Sequence, residues 1–381
     1  MSKLLKMVNE QRLVSFFKEL CLINSPARHE RDCADFLKAT LNAMGLEVFE
    51  DNAGELIGGN SGNVIATLKG TNSNAPRIFL SAHMDTVEPT AGLEIVEENG
   101  VLKSAGNTIL GADDKGGVAP IVEAIRCLQA SGEDYGDVVL LLSIAEEVGL
   151  LGAEHLKIED LNLDFGYVLD TGPPVGTFVT KTAFHDKLDV IVRGVPAHSG
   201  KDPEHGINAI KVAAEALSKM KLGRIGPETT ANFGLIEGGT AVNVVCPFVN
   251  LKGECRSTSE EELDSQIDHM IQCFESAASQ FGTSVEVSRK RHYGAYHIHP
   301  EEPVVQIAVA ASKKLGFEPA LRTTLGGSDA NKFNVKGVPC IVVATGMEKI
   351  HTHEERISIA DLVATTQLTV EIVLEAARNS R

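Results

Sequence analysis

The stretch Val138-Val139-Leu140-Leu141-Leu142-Ser143-Ile144-Ala145-Glu146-Glu147-Val148-Gly149 decides the architecture. It opens with an apolar run of strand length that carries no polar residue until Ser143, the pattern of a strand buried on both faces. Two glutamates then arrive at its end, where carboxylates are costly unless solvated or neutralised. Outward from this strand, similar apolar runs lie at 63–68, 77–81 and 165–169. A helix follows Asp114 through Val118, Ile121, Val122 and Ile125. Helical spacing at 9–22 and 29–44, broken by Ser25-Pro26, precedes a short strand at 47–49. Strands alternating with helices predict an α/β layer with a mixed, largely parallel sheet. Residues 52–62 read as a loop. Its glycines lack the lysine and the spacing of a phosphate cradle.

From about residue 178 the texture changes. A partly alternating strand at 188–193 is followed by a helix at 207–220 and strand-like segments at 229–237 and 243–256. A helix at 259–280 and an alternating strand at 284–289 complete the series. That order predicts a compact α+β, ferredoxin-like module. A helix at 302–315, a strand at 338–344 and a helix at 359–378 then restore the first texture. The expectation is a discontinuous α/β/α catalytic domain, 1–177 and 291–381, interrupted by an inserted lid domain, 178–290.

Composition narrows the classes of function. The 381 residues carry 35 Lys and Arg against 52 Asp and Glu, a net charge of −17. Such a surface repels nucleic-acid backbones and anionic membranes, so neither is an expected partner. No window reaches the roughly 18 apolar residues of a membrane span, and the first twenty residues lack a signal-peptide core. Seven cysteines with no C-x-x-C pair read as reduced, buried thiols in a cytoplasmic protein. There is no G-x-S-x-G elbow and no paired Cys/His segment, so covalent catalysis has no candidate.

The remaining chemistry gathers at strand ends. In Ser81-Ala82-His83-Met84-Asp85, His83 and Asp85 share one face of an extended chain. Leu110-Gly111-Ala112-Asp113-Asp114-Lys115-Gly116-Gly117 sets two carboxylates side by side before a helix, and these repel unless a cation or a helix terminus compensates. Glu146 and Glu147 diverge by backbone alternation, so one can ligate while the other reaches a bound water. Asp170 closes Tyr167-Val168-Leu169, and His351 lies in Ile350-His351-Thr352-His353-Glu354-Glu355. Each segment alone has an ordinary structural reading: a turn, an N-cap, a solvated strand end. Together, two histidines and three carboxylates can build a pair of zinc ions sharing a carboxylate bridge.

This set closely resembles the di-zinc metallopeptidase superfamily of aminoacylases, carboxypeptidases and tripeptidases. LGADDKGGVA and NAGELIGGNSGNVIA are most similar to its peptidase T-like branch. The resemblance implies that His83 and Asp170 bind one zinc, that Glu147 and His351 bind the other, and that Asp113 bridges them. Cobalt or manganese could replace zinc. It also implies that Asp85 orients His83, that Glu146 is the general base, and that a cis peptide follows Asp113. In the inserted domain, His198 in VPAHSG resembles the lid histidine that donates to the oxyanion. Asn243 and Arg256 resemble substrate-contacting positions, the guanidinium suiting a terminal carboxylate by bidentate geometry. Gly327 and Ser328, in GGSD, resemble the substrate loop.

Two assignments have rivals. His353 could replace His351, although the spacing to Glu355 and Ile357 resembles the family pattern at His351. Asp114 could replace Asp113, although Lys115 sets the register. The implied activity is that of an exopeptidase cutting short peptides, tripeptides among them, from the N-terminus. A homodimer through the lid is the implied assembly. The rival readings are an N-acyl amino acid amidohydrolase or a carboxypeptidase on the same site and, more distantly, a non-catalytic binding protein.

Overall fold

The computed structural model describes residues 7–379. The chain forms two compact units. One comprises residues up to Thr180 together with His297–Thr323 and Ser328 onward; the other comprises Lys181–Tyr296 and Thr324–Gly327.

The first unit is built on an eight-stranded sheet. From edge to edge its strands are Glu47–Glu50, Val64–Leu68, Val138–Ser143, Ile78–His83, Phe165–Thr171, Cys340–Ala344, Thr177–Lys181 and Ala320–Thr323. The four central strands, Val138–Ser143 through Cys340–Ala344, run parallel. Antiparallel pairings flank them on both sides. The sheet is therefore mixed, with the parallel strands where burial is greatest. Val138–Ser143 and Ile78–His83 are buried along their whole length. Alternation sorts their side chains. Ile78, Leu80 and Ala82 join the large aliphatic core with helices Glu10–Leu22, Ala112–Ser131, Pro303–Leu315 and Ile359–Arg378. Phe79 points the other way and meets Phe333 of helix Asp329–Val335 edge-on, with centroids 5.3 Å apart.

The parallel register has a direct consequence for chemistry. His83 lies level with Ser143, so His83 and the segment after Ser143 emerge at the same edge of the sheet. Helix Ala112–Ser131 is pressed against Phe165–Thr171 at Gly117. A Cβ there would collide with the Leu169 carbonyl and the Asp114 carboxylate. Gly117→Ala is therefore expected to cost about 1–3 kcal/mol of stability by overpacking, read as a lowered midpoint in thermal unfolding.

The structure contains elements that the sequence expectation lacks. Residues 53–57 form a short helix, Ala53–Ile57, within the segment read as a loop. A small sheet joins Ile95–Glu98, Val101–Ser104 and Arg356–Ser358. The segment Asp329–Val335 is helical.

The second unit holds five antiparallel strands in the order Gly223–Gly226, Thr229–Gly238, Phe248–Ser257, Phe184–Arg193, Val285–Tyr293. Without the short first strand, this is the 4-1-3-2 order of a βαββαβ module, as its sequence predicts. Helices Ala209–Lys219 and Glu260–Phe281 cover one face, packing on Leu188, Val190, Val192, Val249, Leu251 and Cys255. The opposite face carries exposed Lys187, Asp189 and Lys252. All seven cysteines are buried and unbridged. Among the described residues, no helix is long and apolar enough to cross a membrane.

Candidate metal centre

Five segments of the first unit supply the site. His83 is the last residue of its strand and almost fully buried. Its Nδ1 lies 2.8 Å from the Asp85 carbonyl oxygen. A carbonyl only accepts, so Nδ1 carries the proton and the Nε2 lone pair is left for a metal. That Nε2 faces Asp113 Oδ1 at 3.1 Å. Asp113 Oδ2 in turn faces His351 Nε2 at 3.2 Å, and His351 Nε2 lies 3.0 Å from Glu147 Oε1. One carboxylate thus addresses two imidazoles, one with each oxygen.

Two ligand clusters share that residue. Donor atoms of His83, Asp113 and Asp170 lie within 4.8 Å of one another, as do those of Asp113, Glu147 and His351. The electrostatics ask for cations. Burial, with Asp113 nearby, pushes the Asp170 carboxyl up; burial, with Asp170, Asp329 and Glu147 nearby, does the same to Glu146. Side-chain contacts with Asp113 and Glu147 raise the His351 imidazole to about 10. Acidic groups packed in a dry pocket stay ionised at low cost only when positive charge compensates them. A mixed imidazole and carboxylate donor set with one shared carboxylate suits a pair of borderline divalent cations.

The rival assignments separate in space. Asp114 Oδ2 accepts the His83 backbone N–H at 3.2 Å, and its Oδ1 is buried without a hydrogen-bond partner among the described residues. Asp114 therefore sits behind His83 instead of between the histidines. The peptide joining Asp113 to Asp114 is cis. His353 lines a different cavity, with Val96, Lys103 and Arg356. The Asp85 carboxylate lies 3.5 Å from His83 Nδ1 and accepts the backbone N–H groups of Glu146 (3.0 Å) and Glu147 (3.1 Å). Orientation of His83 comes chiefly from the Asp85 carbonyl.

Residues 79–375 match Peptidase family M20/M25/M40. The chain belongs to this family. It is 41% identical to the uncharacterised protein YqjE of Bacillus subtilis, over 98% of this chain and all of that one. Among solved structures it resembles aminopeptidase PepT from Bacillus cereus (39% identity, TM-score 0.90, 97% of this chain and 100% of that one). It also resembles a tripeptidase from Staphylococcus aureus (36%, TM-score 0.94, 98% and 100%). The Bacillus subtilis protein YXEP, described as a dinuclear metal-binding M20 peptidase, shares the fold at 18% identity and TM-score 0.74, over 97% of this chain and 98% of that one.

In this M20 chain the remaining candidate residues are placed as follows. His198 is exposed on the second unit. Gly200 N–H donates to its Nδ1 at 3.1 Å, so the neutral ring carries its proton on Nε2 and presents a donor. Ser199 N–H donates to the Asn243 carbonyl at 3.0 Å, so the two candidates sit on paired segments. Arg256 departs from the bidentate expectation. Its Nε and Nη2 bind Glu254 at 3.2 and 3.0 Å, and its Nη1 donates to the Tyr293 hydroxyl (3.3 Å) and the Leu325 carbonyl (3.1 Å). Among the described residues, four of its five N–H donors are thereby engaged, which leaves one for a ligand. Gly327 lies so close to the Tyr293 ring that any Cβ would strike it. Ser328 is buried and caps helix Asp329–Val335, its N–H donating to Asn331 Oδ1 at 3.1 Å.

Two supporting residues enter the sequence reading only as markers of spacing and register. Glu355 accepts the N–H groups of Gly111 (2.6 Å) and Asp113 (2.9 Å), tying the His351 loop to the Asp113 turn. In sequence it is one of two adjacent glutamates in a polar turn, which hides its role. Lys115 is fully buried, its Nζ donating to Ser25 Oγ at 2.6 Å and to the Met84 carbonyl. Its only signal is its position after the two aspartates.

Proposed function

We propose that this chain is a di-zinc exopeptidase that removes N-terminal residues from short peptides, tripeptides above all. The observation that carries the reading is the Asp113 carboxylate, with one oxygen toward His83 Nε2 and the other toward His351 Nε2. His83 and Asp170 would hold one cation, Glu147 and His351 the other, and Asp113 would belong to both. Bound there, the cations would supply Lewis acidity and would lower the pKa of a bound water.

The chain's own residues do the rest. Glu146 takes a proton from the attacking water and returns it to the leaving amine. Burial, with Asp170, Asp329 and Glu147 nearby, pushes its carboxyl up. His198 Nε2–H would donate to the oxygen on which negative charge develops. Asn243, Gly327, Ser328 and the one free N–H of Arg256 would bind the substrate. Zinc suits the donors, and cobalt or manganese can occupy the same set. The tripeptide preference rests on the resemblance to aminopeptidase PepT and to the Staphylococcus aureus tripeptidase. A cytoplasmic setting accords with seven unbridged cysteines. Self-association through the second unit goes with this reading. Gly223–Gly226 pairs only with 229–231, so the rest of Thr229–Gly238 is an open edge on that side, with Leu235 and Ile236 exposed.

The test strips the protein with a chelator and reloads it with zinc, cobalt or manganese. It then measures turnover of free and N-acetylated di- and tripeptides. Reloading is expected to restore hydrolysis, with free tripeptides cleaved at least about tenfold faster than acetylated ones. Faster cleavage of acetylated substrates would move the chain to the amidohydrolases. No hydrolysis at any metal content would leave a binding protein.

A further inference from the structure

The segment that carries Glu146 and Glu147 is held in an unusual way. Four consecutive backbone N–H groups each meet a side-chain oxygen from elsewhere in the chain. Asn63 Oδ1 accepts Ile144 N–H at 3.1 Å, and Glu30 Oε1 accepts Ala145 N–H at 2.9 Å. Asp85 Oδ1 accepts Glu146 N–H at 3.0 Å, and its Oδ2 accepts Glu147 N–H at 3.1 Å. Strand pairing ends at Ser143, so these amides have left the sheet. Ala145 is in the left-handed region at φ 51°, a conformation that costs a residue with a Cβ roughly 1–2 kcal/mol and needs outside support.

Glu30 is the least expected member. It stands at the N-cap of helix Arg31–Ala43, yet its side chain makes no capping bond to that helix. It is fully buried and turns its Oε1 to Ala145 N–H and to its own neighbour's amide, Arg28 N–H, at 2.8 Å. Its Oε2 has no hydrogen-bond partner among the described residues. A buried carboxyl group that ignores the adjacent helix end is accounted for by what it does hold. Asn63 is anchored in turn: its Nδ2 donates to Asp51 Oδ2 (2.7 Å) and to the Gly152 carbonyl (3.0 Å). Gly152 lets this happen, because a Cβ there would run into the Ile144 carbonyl and the Asn63 side chain.

We propose that Glu30 and Asn63 are positioning residues for Glu146: with Asp85 they form a ladder of side-chain acceptors that fixes the backbone of 144–147 and so aims the Glu146 carboxylate. The proposal rests on Glu146 being the general base. Without Glu30, the Ala145 amide is buried without its acceptor, which favours relaxation of its φ against the bonds that hold the flanking residues. Asp85 still holds the amides of Glu146 and Glu147, so the metal cluster survives while the base loses its aim. Burial, with Asp85 nearby, lifts the Glu30 carboxyl to about 7, so a neutral amide is a close replacement.

The experiment compares Glu30→Ala, Glu30→Gln and Asn63→Ala with wild type in the metal-loaded protein. Readouts are kcat and KM on a tripeptide, bound metal per chain, and hydrogen exchange of amides 144–147. Glu30→Ala is expected to lower kcat on the order of 100-fold, with KM within about twofold, metal unchanged and exchange in the segment accelerated. Glu30→Gln, which keeps an acceptor oxygen, is expected to return kcat to within about fivefold of wild type. Asn63→Ala is expected to give the same split more weakly, and decides the matter if Glu30→Ala does not fold. A kcat unchanged in both alanine variants, or a loss that follows the unfolded fraction and is not rescued by glutamine, overturns the proposal. Should wild type hydrolyse no peptide, the functional reading fails by itself, and unaltered exchange in the variants would then overturn the ladder separately.

Discussion

Glu146→Gln is expected to reduce kcat by roughly 10³–10⁴-fold while leaving two metal ions bound and KM nearly unchanged. The amide is the same size as the carboxylate and cannot accept the proton of the attacking water. Its backbone N–H still reaches Asp85 Oδ1, so the turn keeps its course. Neither ligand cluster includes Glu146, so the metal sites lose no donor. Glu147 is adjacent in sequence yet belongs to the cluster with His351. The consecutive glutamates therefore predict opposite phenotypes: Glu147→Gln should lose metal first and activity as a consequence. Elemental analysis beside steady-state kinetics separates them. Loss of metal from Glu146→Gln would show that it is a ligand and would remove the base from the mechanism.

Much of this organisation is legible in the chain. Val138–Ser143 and Ile78–His83 announce themselves because strands buried on both faces need uninterrupted apolar sequence. Once such strands are placed in parallel, residues at their carboxyl ends share one edge of the sheet, and that brings His83, Glu147 and Asp170 within reach of one another. The small sheet of Ile95–Glu98, Val101–Ser104 and Arg356–Ser358 is not legible. Its strands are short and half exposed, and the third comes from about 250 positions later in the chain, set by tertiary packing that no local pattern encodes. Helix Asp329–Val335 hides for a related reason. Its sequence, DANKFNV, is rich in weak helix formers; the Ser328–Asn331 cap and the packing of Phe333 on Phe79 hold it.

At the site, residue types are readable while their engagements are not. A guanidinium at 256 suggests carboxylate binding, yet its freedom depends on Glu254, Tyr293 and Leu325, of which only Glu254 is a sequence neighbour on the same face of the strand. Glu30 and Asn63 are still further from view. Their function lies in acceptor oxygens aimed at the backbone of another segment, and backbone amides leave no trace in a sequence.

The second large effect is expected of Asp113→Asn. Asparagine is nearly isosteric and offers one oxygen and one NH₂ group where aspartate offers two oxygens. Whichever way the amide turns, one of the two clusters would be offered an NH₂ group, which has no lone pair for a cation, where Asp113 offers an oxygen, and the bridge is lost. The charge falls as well. With Glu355 still holding the Asp113 amide nitrogen, the backbone has no reason to move, so the effect is on the donor set alone. One cluster keeps His83 and Asp170, the other Glu147 and His351, and only one of the two retains an oxygen from residue 113. Bound metal is expected to fall from two per chain to one or fewer, and peptide hydrolysis on the order of 10³-fold or more. Asp114→Asn provides the contrast. Its Oδ2 accepts a backbone N–H behind His83, a bond that an amide oxygen can also accept, so metal content should stay near two. If the two variants exchanged phenotypes, Asp114 would be the bridge, and the division of ligands between the cations would have to be redrawn. If Asp113→Asn kept both metals, no shared carboxylate would join them, and the chemistry assigned to the paired cations would lose its foundation.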